Sequence, residues 1–288
     1  MSDTIVPDKA FTHGGKFHAD DVFSAALLTY LNPNIMIERG FSVPDDYHGL
    51  VFDIGFGEFD HHQADKRVRE NEIPYAAFGL LWEKYGQEIL EAPEAEKFDR
   101  SFVQPLDLCD NTGCDNQVAR IISLFNPVWD DPRNVDDAFE EAKELALTIL
   151  TKRIEYSKSI TRAEVVVRKA LEKAMNRILI LPEYAPWKNV VEDTDILFVI
   201  YPSDRGGYNA QAVPGDDNED ENGLKIAFPV SWRGLSTEEL RKVSQIDTIT
   251  FCHSSGFLIA ADTLEDIIKA CEKAEELMVE ETRLSQDE

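Results

Sequence analysis

Apolar strands alternate with a helix in the first part of the chain. Short apolar runs at 9–12, 35–38 and 51–53 predict strands, and the segment DDVFSAALLTYL after Ala19 has the spacing of a helix. Strand, helix and strand in this order predict an α/β fold with a parallel sheet. Because such sheets bind ligands beyond the carboxyl ends of their strands, the residues that follow these strands are the first candidates for function.

The remaining pattern predicts a helical middle and a second α/β region. Helices are predicted at 75–85, 117–125 and 135–177, then strands at 196–201, 208–213, 224–228 and 249–252, with helices at 236–243 and 264–278. The helix at 236 opens with the capping box Ser-Thr-Glu-Glu. An acidic loop, GDDNEDENG, covers 215–223 and is interpreted as a solvated insertion. The change of pattern predicts a metal-binding α/β domain with a long helical connector at 1–178 and a smaller substrate-binding α/β domain at 179–288.

Composition limits the possible partners. The hydrophobic fraction of 43% allows a packed core, and 29 basic against 55 acidic residues give a net charge of −26. Such a chain repels nucleic acid in bulk, so a polyanionic substrate needs a local basic groove or bound cations. Four cysteines without a Cys-x-x-Cys pair, no secretory signal pattern and no membrane-length apolar run predict a cytoplasmic protein with no membrane partner.

The stretch VFDIGFGEFDHHQ, from Val51 to Gln63, carries the densest candidate chemistry. Asp53 follows a predicted buried strand, and Asp60, His61 and His62 stand side by side after a glycine-containing turn. A carboxylate beside imidazoles offers the oxygen and nitrogen ligands that suit Mn, Fe, Zn or Co. The alternative is a polar turn with two surface histidines.

Two further segments have the same character. His13 ends the first predicted strand, and His18, Asp20 and Asp21 stand at the junction with the following helix. The alternative for this junction is a structural turn in which Asp20 is the N-cap. Asp21 favours the functional interpretation, because it adds a second carboxylate that capping does not require. The third segment, DLCDNTG, offers two more carboxylates, Asp107 and Asp110.

The order His-x-Asp, lone Asp, Asp-His-His and late Asp resembles the DHH phosphoesterases. The strings THGGKFHADD, FDIGFGEFDHHQ, PYAAFGLLW, DLCDNTG, SWRGLSTEEL and FCHSSGF closely resemble one branch of that superfamily, the melanocyte proliferating gene family. That family is proposed to consist of exonucleases and was once labelled as metal-dependent protein hydrolases. The resemblance spans nearly the whole chain.

The resemblance implies a phosphodiesterase or exonuclease that acts on RNA or short oligonucleotides through two divalent cations, with Mn²⁺ first and Mg²⁺ as the alternative. The metal ligands that it implies are His13, His18, Asp20, Asp53, Asp60, His61, His62 and Asp110. Asp110 is preferred to Asp107 because it directly precedes the Asn-Thr-Gly turn, and Asp21 stays open. Asp53, His61 and His62 are the implied catalytic residues. Arg233, His253 and Gly256 would bind substrate, and a homodimer stays open.

The second region departs from the family pattern. Tyr208 and Asn209 stand where the family usually has Trp and Arg, and Leu258 to Ala261 replace a usual glycine pair. These changes do not affect the implied metal ligands, but they leave the identity of the substrate undetermined. The alternatives are a nucleotide or pyrophosphate phosphatase and a non-catalytic metal-binding scaffold. Outside these motifs, Lys66, Arg67 and Arg69 are interpreted as a solvated face, and Trp232 as a core residue.

Overall fold

The computed structural model describes residues 5–215 and 223–286. The chain divides into two compact units, Met1–Ser159 and Ile160–Glu288. The division falls inside the predicted helical connector, before the predicted domain boundary at 178/179. Metal binding by the first domain and substrate binding by the second stay predictions. Most of the predicted acidic loop, 216–222, lies outside the described residues.

The first unit is built on a parallel sheet with the strand order β2-β1-β3. Its strands are β1 (Lys9–His13), β2 (Met36–Gly40) and β3 (Leu50–Val51). Both neighbours pair with β1 in parallel, Lys9 opposite Met36 and Ala10 opposite Leu50. The α/β prediction with a parallel sheet is therefore confirmed.

Helices complete the first unit: α1 (Ala19–Leu31), α2 (Ala77–Tyr85), α3 (Ala92–Phe98), α4 (Gln104–Thr112), α5 (Gln117–Ser123) and the start of α6 (Val135–Leu171). A π-helical turn, Asp99–Val103, joins α3 to α4. Helix α1 is buried along most of its length, because Val22, Phe23 and Leu27 belong to the same apolar core as Phe78 and Phe102. This packing fixes the ends of α1, α2 and α4 against the sheet.

The second unit contains a mixed sheet with the order β4-β5-β6-β8-β7. Its elements after α6 are β4 (Ile178–Ile180), α7 (Lys188–Val191), β5 (Phe198–Pro202), β6 (Tyr208–Ala212), α8 (Thr237–Ser244), β7 (Ile249–Cys252), β8 (Leu258–Ala261) and α9 (Leu264–Gln286). The predicted hairpin of β5 and β6 is confirmed, since the two strands pair antiparallel. The capping box at Ser236 is also present. No described helix combines the length and the apolar character needed to cross a membrane.

One predicted strand is wrong. The segment 224–228 forms only an isolated bridge between Leu224 and Pro214. Ala227 and Phe228 are nevertheless buried, and the Phe228 N–H donates to the Gly256 carbonyl at 2.9 Å. The apolar run thus arises because the segment is buried in the core of the second unit. Periodicity alone does not distinguish a buried segment from a paired strand.

Candidate metal centre

The ends of neighbouring parallel strands bring the first candidate residues together. His13 is the last residue of β1, and Asp53 follows two residues after β3. Asp53 has a φ of 55°. That left-handed conformation is uncommon for a residue with a Cβ, although aspartate tolerates it better than most. The chain therefore turns sharply at the strand end, with the Asp53 carboxylate at its point.

Asp53 lies between two histidines. Its Oδ2 is 3.2 Å from His13 Nε2, and its Oδ1 is 3.1 Å from His61 Nε2. His13 Nε2 is also 3.0 Å from Asp21 Oδ2. Asp53 consequently belongs to two groups of possible metal ligands, one with His13 and Asp21 and the other with His61 and His62.

A third group of possible ligands lies next to His61. It consists of His18, Asp20 and Asp110, with ligand atoms within 4.8 Å of one another. His61 Nε2 lies 3.6 Å from Asp20 Oδ2 and 3.4 Å from Asp110 Oδ2. Asp20 is provided by the first turn of α1 and Asp110 by the last turn of α4. Asp110 therefore lies in a helix, and Asn111 and Thr112, which were expected to form a turn after it, belong to the same helix.

Asp21 does have a capping role, contrary to the expectation from the sequence. His18 is the N-cap of α1, and its backbone N–H donates to Asp21 Oδ1 at 2.9 Å. The second oxygen of Asp21 faces His13. One buried carboxylate thus fixes the start of α1 and also joins the ligand cluster.

Asp60 bonds to residues of its own turn. Its Oδ2 accepts a hydrogen bond from the Phe56 N–H at 2.7 Å. Its Oδ1 accepts from the His62 backbone N–H at 3.1 Å and lies 2.8 Å from His62 Nδ1. Among the described residues, the groups with suitable ligand spacing do not include Asp60. Both oxygens of Asp60 are therefore engaged within the segment that carries His62, and its predicted role as a ligand stays a prediction.

The buried groups of the cluster shift one another's pKa values. Burial lowers the pKa of His13, but its hydrogen bonds to Asp21 and Asp53 outweigh burial and raise it to about 10. Burial also lowers the pKa of His61, but Asp53 and Asp110 outweigh this effect and raise the pKa above its ordinary value. Burial, followed by the charges of Asp53 and Asp110, raises the pKa of Asp20 well above its usual value. Without cations, the cluster therefore retains protons at neutral pH.

The pKa of Asp53 changes in the opposite direction. Burial raises it, but hydrogen bonds to His13 and His61 dominate and lower the pKa below its ordinary value. The two histidines thus hold Asp53 in its ionised form, as a ligand shared by two cations requires.

Asp107 takes no part in this cluster. Its carboxylate is buried and accepts hydrogen bonds from Arg69 Nη2 at 2.7 Å and from the Gly79 N–H at 3.0 Å. Arg69 also bonds to Asp99 at 3.0 Å, and only 7% of its side chain is exposed. The interpretation of Arg69 as part of a solvated face is therefore wrong. Sequence gave no signal for this network, because its members are far apart along the chain.

The ligand cluster opens into a cavity of about 290 Å³. The lining residues are His13, His18, Asp53, Ile54, Gly55, Phe56, Asp60, His61, His62 and Asp110. Imidazoles and carboxylates make up one part of the wall, and the segment 54–56 makes up the other. The cavity is large enough for a phosphate group and part of an attached ester.

The three predicted substrate residues meet within the second unit. Arg233 Nε donates to the Phe228 carbonyl at 2.8 Å, and a Cβ at Gly256 would lie 2.5 Å from the same nitrogen. The His253 carbonyl accepts from the Gly256 N–H at 2.9 Å. Gly256 has a φ of 72°, so glycine is required both by conformation and by space. Trp232 is buried in the core, as predicted, and is not a surface for stacking.

Known proteins resemble the chain over nearly its whole length. The model of a family described as Uncharacterised protein family (UPF0160), MYG1_exonuc, matches residues 9–274. The MYG1 protein of Dictyostelium discoideum is 28% identical, over 88% of this chain and 92% of its own length. The MYG1 protein of Schizosaccharomyces pombe is 27% identical, over 92% and 97%. The human protein named MYG1 exonuclease is 26% identical, over 89% and 83%.

Proposed function

The chain belongs to the MYG1 family, and from this premise we propose that it is a metal-dependent phosphoesterase of the DHH type. Its proposed reaction is the hydrolysis of phosphodiester bonds in RNA or short oligonucleotides. Relatives named MYG1 exonuclease support a nuclease activity. The observation that carries the proposal is the position of Asp53, whose two oxygens face two different histidines.

The residues present fit a pair of dications. Asp20, Asp21, Asp53 and Asp110 bring up to four negative charges to one cluster, which two dications would neutralise. Both oxygens of Asp20 are buried, and no described residue donates a hydrogen bond to them. Because a buried carboxylate that accepts no hydrogen bond is costly, Asp20 is explained best as a cation ligand.

The ligands divide into two proposed sets that share Asp53. One set is His13, Asp21 and Asp53, and the other is Asp53, His61, Asp20 and Asp110, with His18 and His62 beside it. Mixed imidazole and carboxylate ligands suit Mn²⁺, and Mg²⁺ is the alternative. When bound, such cations polarise a phosphate oxygen and lower the pKa of water. Asp60 is omitted from both sets because it supports His62 instead.

His62 is the proposed proton carrier. Its Nδ1 is held by Asp60 at 2.8 Å, and 56% of its side chain is exposed. An imidazole that donates its Nδ1 proton to a carboxylate keeps Nε2 free to accept or donate a proton. His62 Nε2 would therefore exchange a proton with water or with the leaving oxygen, while Asp60 maintains the tautomer.

In the second unit, Arg233, His253 and Gly256 are the proposed substrate contacts. A guanidinium suits phosphate because of its planar set of donors. The net charge of −26 opposes the binding of long polyanions and favours short substrates. The same observation favours a second candidate function, a nucleotide or pyrophosphate phosphatase.

The test is hydrolysis by the purified protein loaded with Mn²⁺. The panel is single-stranded RNA, single-stranded DNA, dinucleotides, nucleoside monophosphates and pyrophosphate. Cleavage of RNA or dinucleotides that stops with chelator is the expected result. Cleavage of pyrophosphate or monoesters alone would favour the phosphatase. No turnover on any member of the panel would leave the non-catalytic scaffold as the better account.

A further inference from the structure

The cavity at the metal centre has an apolar side that the proposed reaction does not use. Ile54 and Phe56 line it together with the imidazoles and carboxylates. The Phe56 side chain is 72% exposed, although phenylalanine is among the residues most often buried. An exposed phenyl ring at the wall of a polar cavity calls for a ligand with an apolar face.

The backbone at Phe56 is strained in order to hold the ring there. Its φ is 57°, a left-handed conformation in which a bulky side chain is an outlier. A glycine at position 56 would adopt this φ without strain, because it has no Cβ. Glycine already stands on both sides, at Gly55 and Gly57. Strain of this kind collects at functional sites, where the surrounding structure over-determines the conformation.

The position of the ring is coupled to that of His62. The Phe56 N–H donates to Asp60 Oδ2 at 2.7 Å, while Asp60 Oδ1 lies 2.8 Å from His62 Nδ1. One buried carboxylate therefore fixes both the proposed proton carrier and the residue that carries the phenyl ring. At the next residue, a Cβ added to Gly57 would meet no atom of the described residues within 4 Å. The turn that carries Phe56 is consequently open to solvent.

We propose that Phe56 stacks on the base of the nucleotide whose phosphate lies at the metal centre. Stacking on an aromatic ring tolerates every base, because each base presents a π face. It also needs no attraction between charges, which suits a chain with a net charge of −26. Phe56 thus sets a preference for nucleotides over phosphate esters without a base. This inference rests on the proposed function and names a determinant of its specificity.

The test compares two probes that differ in the base. The protein loaded with Mn²⁺ is titrated calorimetrically with adenosine 5′-monophosphate and with ribose 5-phosphate. Wild type is expected to bind the nucleotide about tenfold more tightly or better, the usual size of one base stacked on an aromatic side chain. Phe56→Gly should bring the two dissociation constants to within about twofold, and Phe56→Trp should retain the preference.

Phe56→Gly relieves the strain of the left-handed conformation, which offsets the greater freedom of glycine in the unfolded chain, so its Tm is expected to stay close to that of wild type. The control is Trp129→Leu, which removes an aromatic ring that is 96% exposed in the same unit but does not line the cavity. This variant should keep the wild-type preference. Hydrolysis of a dinucleotide, measured in parallel, should show a raised KM for Phe56→Gly with kcat retained.

Equal affinity of wild type for the two probes would overturn the inference, and so would an undiminished preference in Phe56→Gly. A preference that falls equally in Trp129→Leu would also overturn it. These outcomes are separate from failure of the proposed function. If wild type prefers the nucleotide in a Phe56-dependent manner but cleaves no ester on the panel, the stacking assignment stands and the phosphoesterase assignment fails.

Discussion

Asp107 caps helix α2 from a distant part of the chain, because its Oδ1 accepts a hydrogen bond from the Gly79 N–H at 3.0 Å. The N-cap residue of α2 is Ala76, which has no side-chain acceptor. Asp107 provides the missing acceptor, and its other oxygen bonds to Arg69. Since Asp107 and Asp110 share α4, this contact fixes the helix that presents Asp110 to the metal centre.

Gly79→Ala should destabilise the protein. The new Cβ would collide with the Asp107 carboxylate and with Arg69, so α2 and α4 would have to separate. Overpacking of this kind costs about 2 kcal/mol of unfolding free energy, which urea denaturation measures. The control is Gly57→Ala, where the Cβ meets no described atom within 4 Å, and its effect should be within about 0.5 kcal/mol. Equal effects at the two positions would contradict the role of the Asp107 contact.

Asp53→Asn should remove metal and activity together. The substitution keeps the shape of the side chain but removes the charge that two cations are proposed to share. Elemental analysis of desalted, Mn²⁺-loaded protein should find two metal ions per chain in wild type and one or none in the variant. Turnover of the best substrate on the panel should fall about a thousandfold or more. A variant with two bound ions and full activity would refute the assignment of Asp53.

Asp60→Asn should instead retain both metal ions. Asp60 is proposed to orient His62, so the variant should lose kcat by roughly 10- to 100-fold, the usual effect of a residue behind the ligands. Glu58→Gln is the matched control, because it neutralises an exposed carboxylate in the same segment. Elemental analysis together with kcat decides between the roles. Loss of a metal ion from Asp60→Asn would make Asp60 a ligand, as the sequence first suggested.

Metal binding should release protons near neutral pH. The pKa of His13 is raised to about 10 by Asp21 and Asp53 against the effect of burial, so His13 is protonated before the cation binds. Calorimetric titration with Mn²⁺ in two buffers of different ionisation enthalpy measures this release, which should decrease in His13→Ala. Affinity for Mn²⁺ should rise as the pH increases from 7 toward 10. An affinity for Mn²⁺ that does not depend on pH would show that the cation does not displace a proton from His13.

The same protonation predicts how stability depends on pH in chelator. The folded-state pKa of His13, about 10, exceeds its ordinary value of 6.5. Its contribution is therefore complete below pH 6.5 and is lost as the pH rises through 10. The raised pKa of Asp20, caused by burial and the neighbouring carboxylates, acts in the same direction. Thermal unfolding in chelator should show a falling Tm over this range, and a Tm that rises would contradict it.

The sequence by itself determined the parallel α/β unit and which residue types stand at its strand ends. Apolar periodicity located β1, α1 and β3, and parallel strands place His13 and Asp53 at the same edge of the sheet. The capping box at Ser236 was also readable, since its hydrogen bonds join residues three apart. These features depend on short-range geometry, which a local pattern records.

The hydrogen-bond partners of the individual carboxylates became evident only from the folded structure. Asp107 and Asp110 stand three residues apart on α4, and the packing of α4 against α2 directs the first to Arg69 and the second to His61. Asp60 turns back to Phe56 and His62 because the strained turn brings the Phe56 N–H to it. The directions of Asp107 and Asp110 depend on contacts between segments distant in sequence, which no local spacing encodes. The direction of Asp60 depends on the left-handed turn at Phe56, a backbone conformation that the pattern of residue types did not reveal.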